Sequence, residues 1–292
     1  MTDDPFVAHR NLLFTVAYEM LGSAADAEDV VQETWLRWAG AGAAARADVR
    51  DPRAYLVRIV TRQALNRLRT MARRREDYVG EWLPEPLLTS PDVAEDVELA
   101  ESVSFAMLTV LETLGPTERA VFVLREVFET PYDEIAEAVG KTPAGVRQIA
   151  HRAREHVAAR RPRVQVSRAE QNAVVERFLA AVRGGDLAEL LDVLAPDVVV
   201  VADGGGFVEA ATRPIKGARR VSKVLSLVAT SGVDVEVLPM RLNGGPAARF
   251  DLDGELYGVA SLVIEDGLIT AIYAVANPHK LARLDEAVEL SR

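Results

Sequence analysis

The sequence predicts a helical N-terminal half in two parts, joined by an acidic linker and followed by an α+β domain whose curved sheet wraps around helices as a cone. Three observations lead there. In residues 6–75 and 104–157 the apolar residues recur at spacings of three and four, the period of a helix. Residues 130–157 carry the punctuation of a helix-turn-helix. After Pro162 the texture changes to strand-like runs separated by Asp-Gly pairs. The divisions fall at residues 1–75, 76–104, 105–163 and 168–292.

In the first unit Val7, Leu12, Leu13, Val16, Ala17 and Met20 form one apolar stripe, ended by Gly22-Ser23. Asp26 to Trp38 form a second helix, with Ala27, Val30, Val31, Thr34 and Leu36 on or near its buried side. Trp35 reads as core in preference to an exposed anchor. Ala39 to Asp48 is a run of small residues and reads as a loop. Asp51-Pro52 opens a long helix through Tyr55, Leu56, Ile59, Val60, Ala64 and Leu68. Arg58, Arg62, Asn66 and Arg69 recur on it at spacings of three to four and share a face.

The linker contains Trp82-Leu83-Pro84-Glu85-Pro86-Leu87. Its two prolines exclude a regular helix, and its apolar residues predict that it docks. Helix resumes over 104–128 and breaks at Gly115-Pro116. In the helix-turn-helix, Thr130 is placed to cap the first helix, with Pro131 at its first position and Asp133 and Glu134 at its positive end. Gly140 permits the sharp turn. Thr142 caps a second helix opened by Pro143, with Val146, Ile149, Ala150, Ala153 and Val157 on one side. Lys141, Arg147, Gln148, His151, Arg152 and Arg154 point elsewhere. That outer face suits a recognition helix in a major groove. Two amphipathic helices with a solvated basic face are the plainer alternative.

The last unit begins with helices around Val174 to Val182 and Leu187 to Leu194. Strand runs follow at 198–202, 233–239, 247–252, 255–264 and 268–275, interrupted by a helix near 218–229. Asp253-Gly254 and Asp266-Gly267 predict hairpins.

Composition narrows the class. The chain has 292 residues, 49% of them hydrophobic, and no cysteine, so it holds no disulfide frame and no thiolate metal site. Its first residues are acidic and polar, unlike a signal peptide. No apolar run approaches the ~20 residues of a membrane span. A cytoplasmic protein is expected, with no cofactor and no resident metal. The net charge of −10 resolves into blocks. Residues 19–33 hold five acids and no base, residues 46–75 ten arginines against two aspartates, residues 76–104 nine acids and no base, and residues 141–163 seven bases against Glu155. Such alternation argues for different partners at different surfaces, with basic blocks tracking phosphates and an acidic helix meeting a basic protein groove.

These motifs, in this order, resemble those of extracytoplasmic-function sigma factors of bacterial RNA polymerase. Asp26-Ala27-Glu28-Asp29-Val30-Val31-Gln32-Glu33-Thr34-Trp35 is similar to the region-2 segment that docks on the polymerase clamp. Asp51-Pro52-Arg53-Ala54-Tyr55-Leu56 through Arg69 is similar to the segment that melts and reads the −10 element. Leu114-Gly115-Pro116-Thr117-Glu118-Arg119-Ala120-Val121-Phe122 is similar to the opening of region 4, whose helix-turn-helix reads the −35 element. The remainder resembles a SnoaL-like domain of the nuclear-transport-factor-2 superfamily. Trp82 to Pro86, Asp203-Gly204-Gly205-Gly206 and Asn277-Pro278-His279-Lys280-Leu281 resemble the signatures of the sigma subgroup with this domain fused. Two departures stand out: Phe207 replaces an expected lysine, and His279 an expected aspartate.

The resemblance implies a promoter-recognition factor that binds core polymerase through Asp26, Glu28, Asp29, Gln32 and Glu33. Arg58, Arg62, Asn66 and Arg69 would serve the −10 element, and Lys141, Arg147, Gln148, His151, Arg152 and Arg154 the −35 element. The acidic linker would imitate nucleic acid in a cationic polymerase channel. The last domain would regulate in cis through Trp82, Pro84, Pro86, Asp203, Gly204, Gly205, Gly206, Asn277 and Pro278, and the free protein would be a monomer. Two other classes stay open: a polymerase-independent DNA-binding regulator with a ligand-binding domain, and an enzyme using Asp203 or His279 with a DNA-binding appendage.

Overall fold

The computed structural model describes residues 4–89, 96–160, 167–229 and 233–292. Asp92 and Glu95 of the acidic linker and Arg161 and Arg163 of the last basic block lie outside them.

Local chemistry sets the helix ends. Helix α1 (Pro5–Leu21) starts where the Asp4 carboxylate accepts the Phe6 N–H, and stops at Gly22, whose φ of 66° suits glycine. Helix α2 (Ala24–Gly40) is capped by Ser23. The run expected as a loop instead contains a short helix, α3 (Gly42–Ala47), none of it buried. Its alanines are the strongest helix formers, so propensity forms it without a core contact. Helix α4 (Pro52–Glu76) is the long helix read from the sequence. Trp38, not Trp35, fills the core. Trp35 is 37% exposed and rests on Phe6, and Leu36 is 68% exposed.

Strand β1 (Leu88–Thr89) leaves the linker, and helices α5 (Val97–Ser102) and α6 (Phe105–Leu111) follow it. Helix α7 (Pro116–Phe122) runs into a π turn at Val123–Val127. In the helix-turn-helix, α8 (Tyr132–Val139) starts with Pro131 in the cap position and no side-chain cap. Thr130 does not cap it. That residue is buried, its N–H donating to the Leu124 carbonyl at 2.9 Å and its own carbonyl accepting from Arg125. Gly140 takes the left-handed conformation, and Thr142 caps α9 (Pro143–Ala158) as expected.

The C-terminal unit is an α+β cone. Helices α10 (Arg168–Gly184), α11 (Leu187–Val193) and α12 (Ala218–Ala229) lie against strands β2 (Leu194–Asp203), β3 (Ile215–Lys216), β4 (Val235–Leu242), β5 (Gly245–Leu252), β6 (Glu255–Glu265) and β7 (Leu268–Val275). Helix α13 (Pro278–Leu281) and strand β8 (Ala287–Val288) complete it. The sheet order is β3-β2-β7-β6-β5-β4-β1-β8. Pairing is antiparallel except for β2 with β7 and β1 with β8. Both predicted Asp-Gly hairpins form, with Asp253 and Asp266 at φ near 50°.

Three apolar clusters hold the molecule. One is continuous through α1, α2, α4 and the helices of the second helical part. Another fills the cone with Val174, Phe178, Leu190, Leu262 and Ile272. The third joins them: Leu83 and Phe105 press on Leu242, Ala247, Val259, Val275 and Leu281 at the sheet's other face. No helix among the described residues is long and apolar enough to cross a membrane.

Candidate nucleic-acid interface and interdomain junction

Helix α4 presents Arg58, Arg62, Asn66 and Arg69 on one side, as their spacing predicts, and α8 lies across the first two. Arg58 pairs with Glu137 at 2.7 Å and stacks over the Tyr55 ring. Arg62 donates to the carbonyls of Glu137 and Ala138 at 2.7 and 3.4 Å. Those carbonyls end α8, where helix oxygens lack internal donors and the dipole is negative. Asn66 and Arg69 are exposed and hydrogen-bonded to each other at 3.0 Å. Half of this cationic face therefore holds the helix-turn-helix.

The outer face of α9 is open. Lys141, Arg147, Gln148, His151, Arg152 and Arg154 are all exposed. Arg147 also stacks over the Tyr132 ring, which Arg125 approaches too, at 5.4 and 4.6 Å. Arg154 lies 3.5 Å from Glu126, and His151 3.6 Å from Glu155. On α2, Asp29, Gln32 and Glu33 are exposed, and Asp26 and Glu28 half-buried. Arg67 of α4 reaches Asp26, Asp29 and Glu33 at 3.5, 2.9 and 3.8 Å, and Arg10 pairs with Glu28 at 2.7 Å. The acidic set is thus one patch, partly neutralised from within.

The third constellation is a buried junction. The Asp203 side chain is fully buried. It accepts from the Tyr78 hydroxyl at 2.6 Å, the Leu83 N–H at 2.9 Å and the Lys280 ammonium at 2.7 Å. Lys280 also donates to the Leu83 carbonyl and sits 4.0 Å over the Trp82 ring. Asn277 donates to the Tyr78 hydroxyl, and its N–H to the Asp203 carbonyl. Burial, then the Asp203 carboxylate, raises the Tyr78 pKa, so its hydroxyl stays a donor. Glycine is needed here: a Cβ on Gly205 would stand 2.2 Å from Asn277 Nδ2, and one on Gly204 2.3 Å from the Val208 carbonyl. Lys280 supplies the cation at Asp203, while Phe207, where a lysine was expected, is exposed. The two departures meet each other, with the Phe207 and His279 rings in an edge contact at 4.5 Å.

On its other side the same linker grips the first helical unit. The Trp82 ring lies where a side chain on Gly22 would stand, 2.9 Å from its Cβ position. Buried Pro84 and Pro86 flank Glu85, whose N–H donates to the Gly22 carbonyl. The Glu85 carboxylate accepts the Ala24 and Ala25 N–H groups at the start of α2. Desolvation raises its pKa, and those amides oppose the rise.

Sequence reasoning missed Asn243. It is buried at φ 53°, and its side chain accepts the Leu87 N–H and donates to the Tyr18 hydroxyl and the Val103 carbonyl, at 2.9, 2.7 and 2.9 Å. One residue of a cone hairpin thereby ties the linker, α1 and the α5–α6 turn. Asn243-Gly244 is a turn dipeptide, which was the only signal. Also missed is the Glu19 and Arg119 pair. Glu19 accepts from Ser102, while buried Arg119 donates to the Glu19 carbonyl and pairs with Glu112. Burial pushes the Glu19 carboxyl up to about 8. No group of three His, Asp or Glu side chains among the described residues is placed to hold a metal ion.

Comparison with known proteins decides the family. The Sigma-70 region 2 model matches residues 6–75, and the Sigma-70, region 4 model residues 104–157. The chain is 37% identical to the ECF RNA polymerase sigma factor SigJ of Mycobacterium tuberculosis, over 94% of this chain and 91% of that one. The chain belongs to the ECF RNA polymerase sigma factors. It is also 35% identical to a probable ECF sigma factor, SigI, of the same organism, over 94% of this chain and 92% of that one. The crystal structure of M. tuberculosis SigJ superimposes with a TM-score of 0.75, at 33% identity, over 97% of this chain and 98% of that one. This sigma factor therefore directs transcription initiation, and its family binds core RNA polymerase and promoter DNA.

Proposed function

We propose that the SnoaL-like cone regulates this sigma factor in cis by fixing its two DNA-binding units in one relation. The observation that carries the reading is the linker segment from Tyr78 to Thr89. Asp203, Asn277, Lys280 and Asn243 hold it from the cone side, and Tyr18, Gly22, Ala24 and Ala25 from the region-2 side. In that relation the cationic face of α4 is engaged by α8. Region 2 would contact polymerase through Asp26, Glu28, Asp29, Gln32 and Glu33. Arg58, Arg62, Asn66 and Arg69 would take the −10 strand after α8 moves off, and the α9 face would read the −35 element.

The reading assigns the cone no catalysis. Asp203 has its donors from Tyr78, Leu83 and Lys280 and faces the linker, and His279 is at the surface against Phe207. It also takes the protein as a cytoplasmic monomer when free. Run-off transcription with purified core polymerase tests it, comparing the parent with Asp203→Ala and Trp82→Ala. A changed yield or a changed promoter choice supports regulation by the cone. Unchanged transcription by both variants rejects it.

A further inference from the structure

Beyond the β4–β5 turn lies a cavity of about 460 Å³ between the cone and helices α5 and α6. Strand β6 runs past its last pairing with β5, at Ser261, and leaves Leu262, Val263 and Ile264 on the cavity wall. Phe105 and Leu242 extend the apolar lining. The cone's own interior is a filled core that shares Leu262 and Ile264 with the cavity wall. The volume is within the range of small-molecule sites, which are mostly apolar with a few convergent polar groups.

The polar groups here are unbalanced. Arg168, at the start of α10, and Arg241, near the end of β4, both line the cavity, and Glu101 is the one acid lining it among the described residues. Arg241 donates through Nη2 to the Gly244 carbonyl at 2.6 Å. Its Nε is buried and has no hydrogen-bond partner. Burial, and then the nearby charge of Arg168, push Arg241 below its ordinary pKa. A buried guanidinium edge without an acceptor is costly, and a planar anion satisfies it with two charge-assisted bonds. Among the described lining residues, two guanidiniums stand against one carboxylate.

We infer that this cavity is a binding site for a small organic monocarboxylate with an apolar body, its head on Arg241 and Arg168 and its body along Phe105, Leu242 and Leu262. The site is built from both sides of the junction. Ala100, Glu101, Ser104, Phe105 and Ala106 come from the α5–α6 side and the rest from the cone, so an occupant binds only the docked arrangement. By mass action it stabilises that arrangement.

Isothermal titration of the full chain tests the inference. The probes are decanoate as an aliphatic acid, 1-naphthoate as an aromatic one and 1-decanol as an uncharged control. At least one acid is expected to bind one-to-one with a Kd below ~1 mM. Whichever binds identifies the body as aliphatic or aromatic, and binding of both supports a site selective for the head group. Arg241→Met and the exposed Arg168→Gln should each weaken it about tenfold or more, the scale of one charge-assisted contact. Ser104→Trp, which fills the cavity, should abolish it. The inference is overturned if neither acid binds one-to-one in that range, if decanol binds as well as the acids, or if both arginine variants bind like the parent.

Discussion

Replacing Asp203 with asparagine tests the junction at its centre. The substitution keeps volume and one acceptor oxygen, and removes the charge beneath Lys280. Leu83 N–H and the Tyr78 hydroxyl then compete for that oxygen, and a buried donor left without a partner costs about 1–3 kcal/mol. The Asp203 side chain is fully buried and that of Lys280 12% exposed, so the ammonium also loses a buried counter-charge. Breaking such a pair from one side costs about 3–5 kcal/mol. Lys280 keeps the Leu83 carbonyl and the Trp82 face, which offset part of this, so Asp203→Asn should cost about 3–4 kcal/mol in all. Lys280→Met strands the carboxylate with two neutral donors and should cost about 3 kcal/mol. The double variant strands neither charge, and should fall short of the sum by about 1–3 kcal/mol. Urea unfolding of the four full-length proteins, followed by tryptophan fluorescence, measures the cycle. Additivity within about 0.5 kcal/mol would show that the ion pair does not hold the junction and refute the reasoning.

Glu19 gives a pH prediction. Its folded pKa, about 8, lies above its ordinary 4.5, so the folded state binds the extra proton. Stability is full below the unfolded value and falls as pH rises between the two, by up to about 1.4 kcal/mol per pH unit. Glu19→Gln copies the protonated acid, and thermal melts should place it above the parent near pH 9 and level with it near pH 5. Asn243→Ala should cost about 3–4 kcal/mol, from buried groups left unpaired and a side chain held at positive φ. Urea melts measure that loss, and faster cleavage of the linker by a protease that cuts after its glutamates should accompany it. Gln148→Ala should cost about 1–3 kcal/mol of discrimination between −35 sequences. Arg152→Ala should weaken all sequences alike and lower the salt slope by about one, and anisotropy titrations across salt separate the two.

What the sequence made legible was local. Thr142, Gly140 and the two Asp-Gly turns act within three or four residues, so their signals are contiguous in the chain. The faces of α4 and α9 follow from helical period alone. Burial between elements was less visible. Trp35 and Trp38 are three apart on α2, and only the packing of α1 and α4 decides which goes inside. Asn243 gave no more than a turn signal, because its partners Tyr18, Leu87 and Val103 are between 140 and 225 residues away. The Asp203 motif was visible through its glycines, but the cation came from Lys280, 77 residues on. Strand β1 escaped notice because two residues carry no period. It forms by pairing with β4 and β8, which arrive much later in the chain.

The magnitudes also order the ways in which this molecule can open. Arg58 and Glu137 are 34% and 64% exposed, so their pair is screened by salt and contributes about 0–1 kcal/mol. Arg62 adds bonds to helix-end carbonyls, which water or a phosphate can replace. The linker junction, by contrast, carries a buried ion pair, a saturated asparagine and an apolar cluster around Leu83 and Phe105. Anything that competes for arginines, such as promoter phosphates, therefore acts on the polar part of the α4–α8 contact, whose apolar part, with Ile135 and Ala136, belongs to the core shared with α1, α2 and α4. A separation that freed the linker would strand Asp203, Lys280 and Asn243 together.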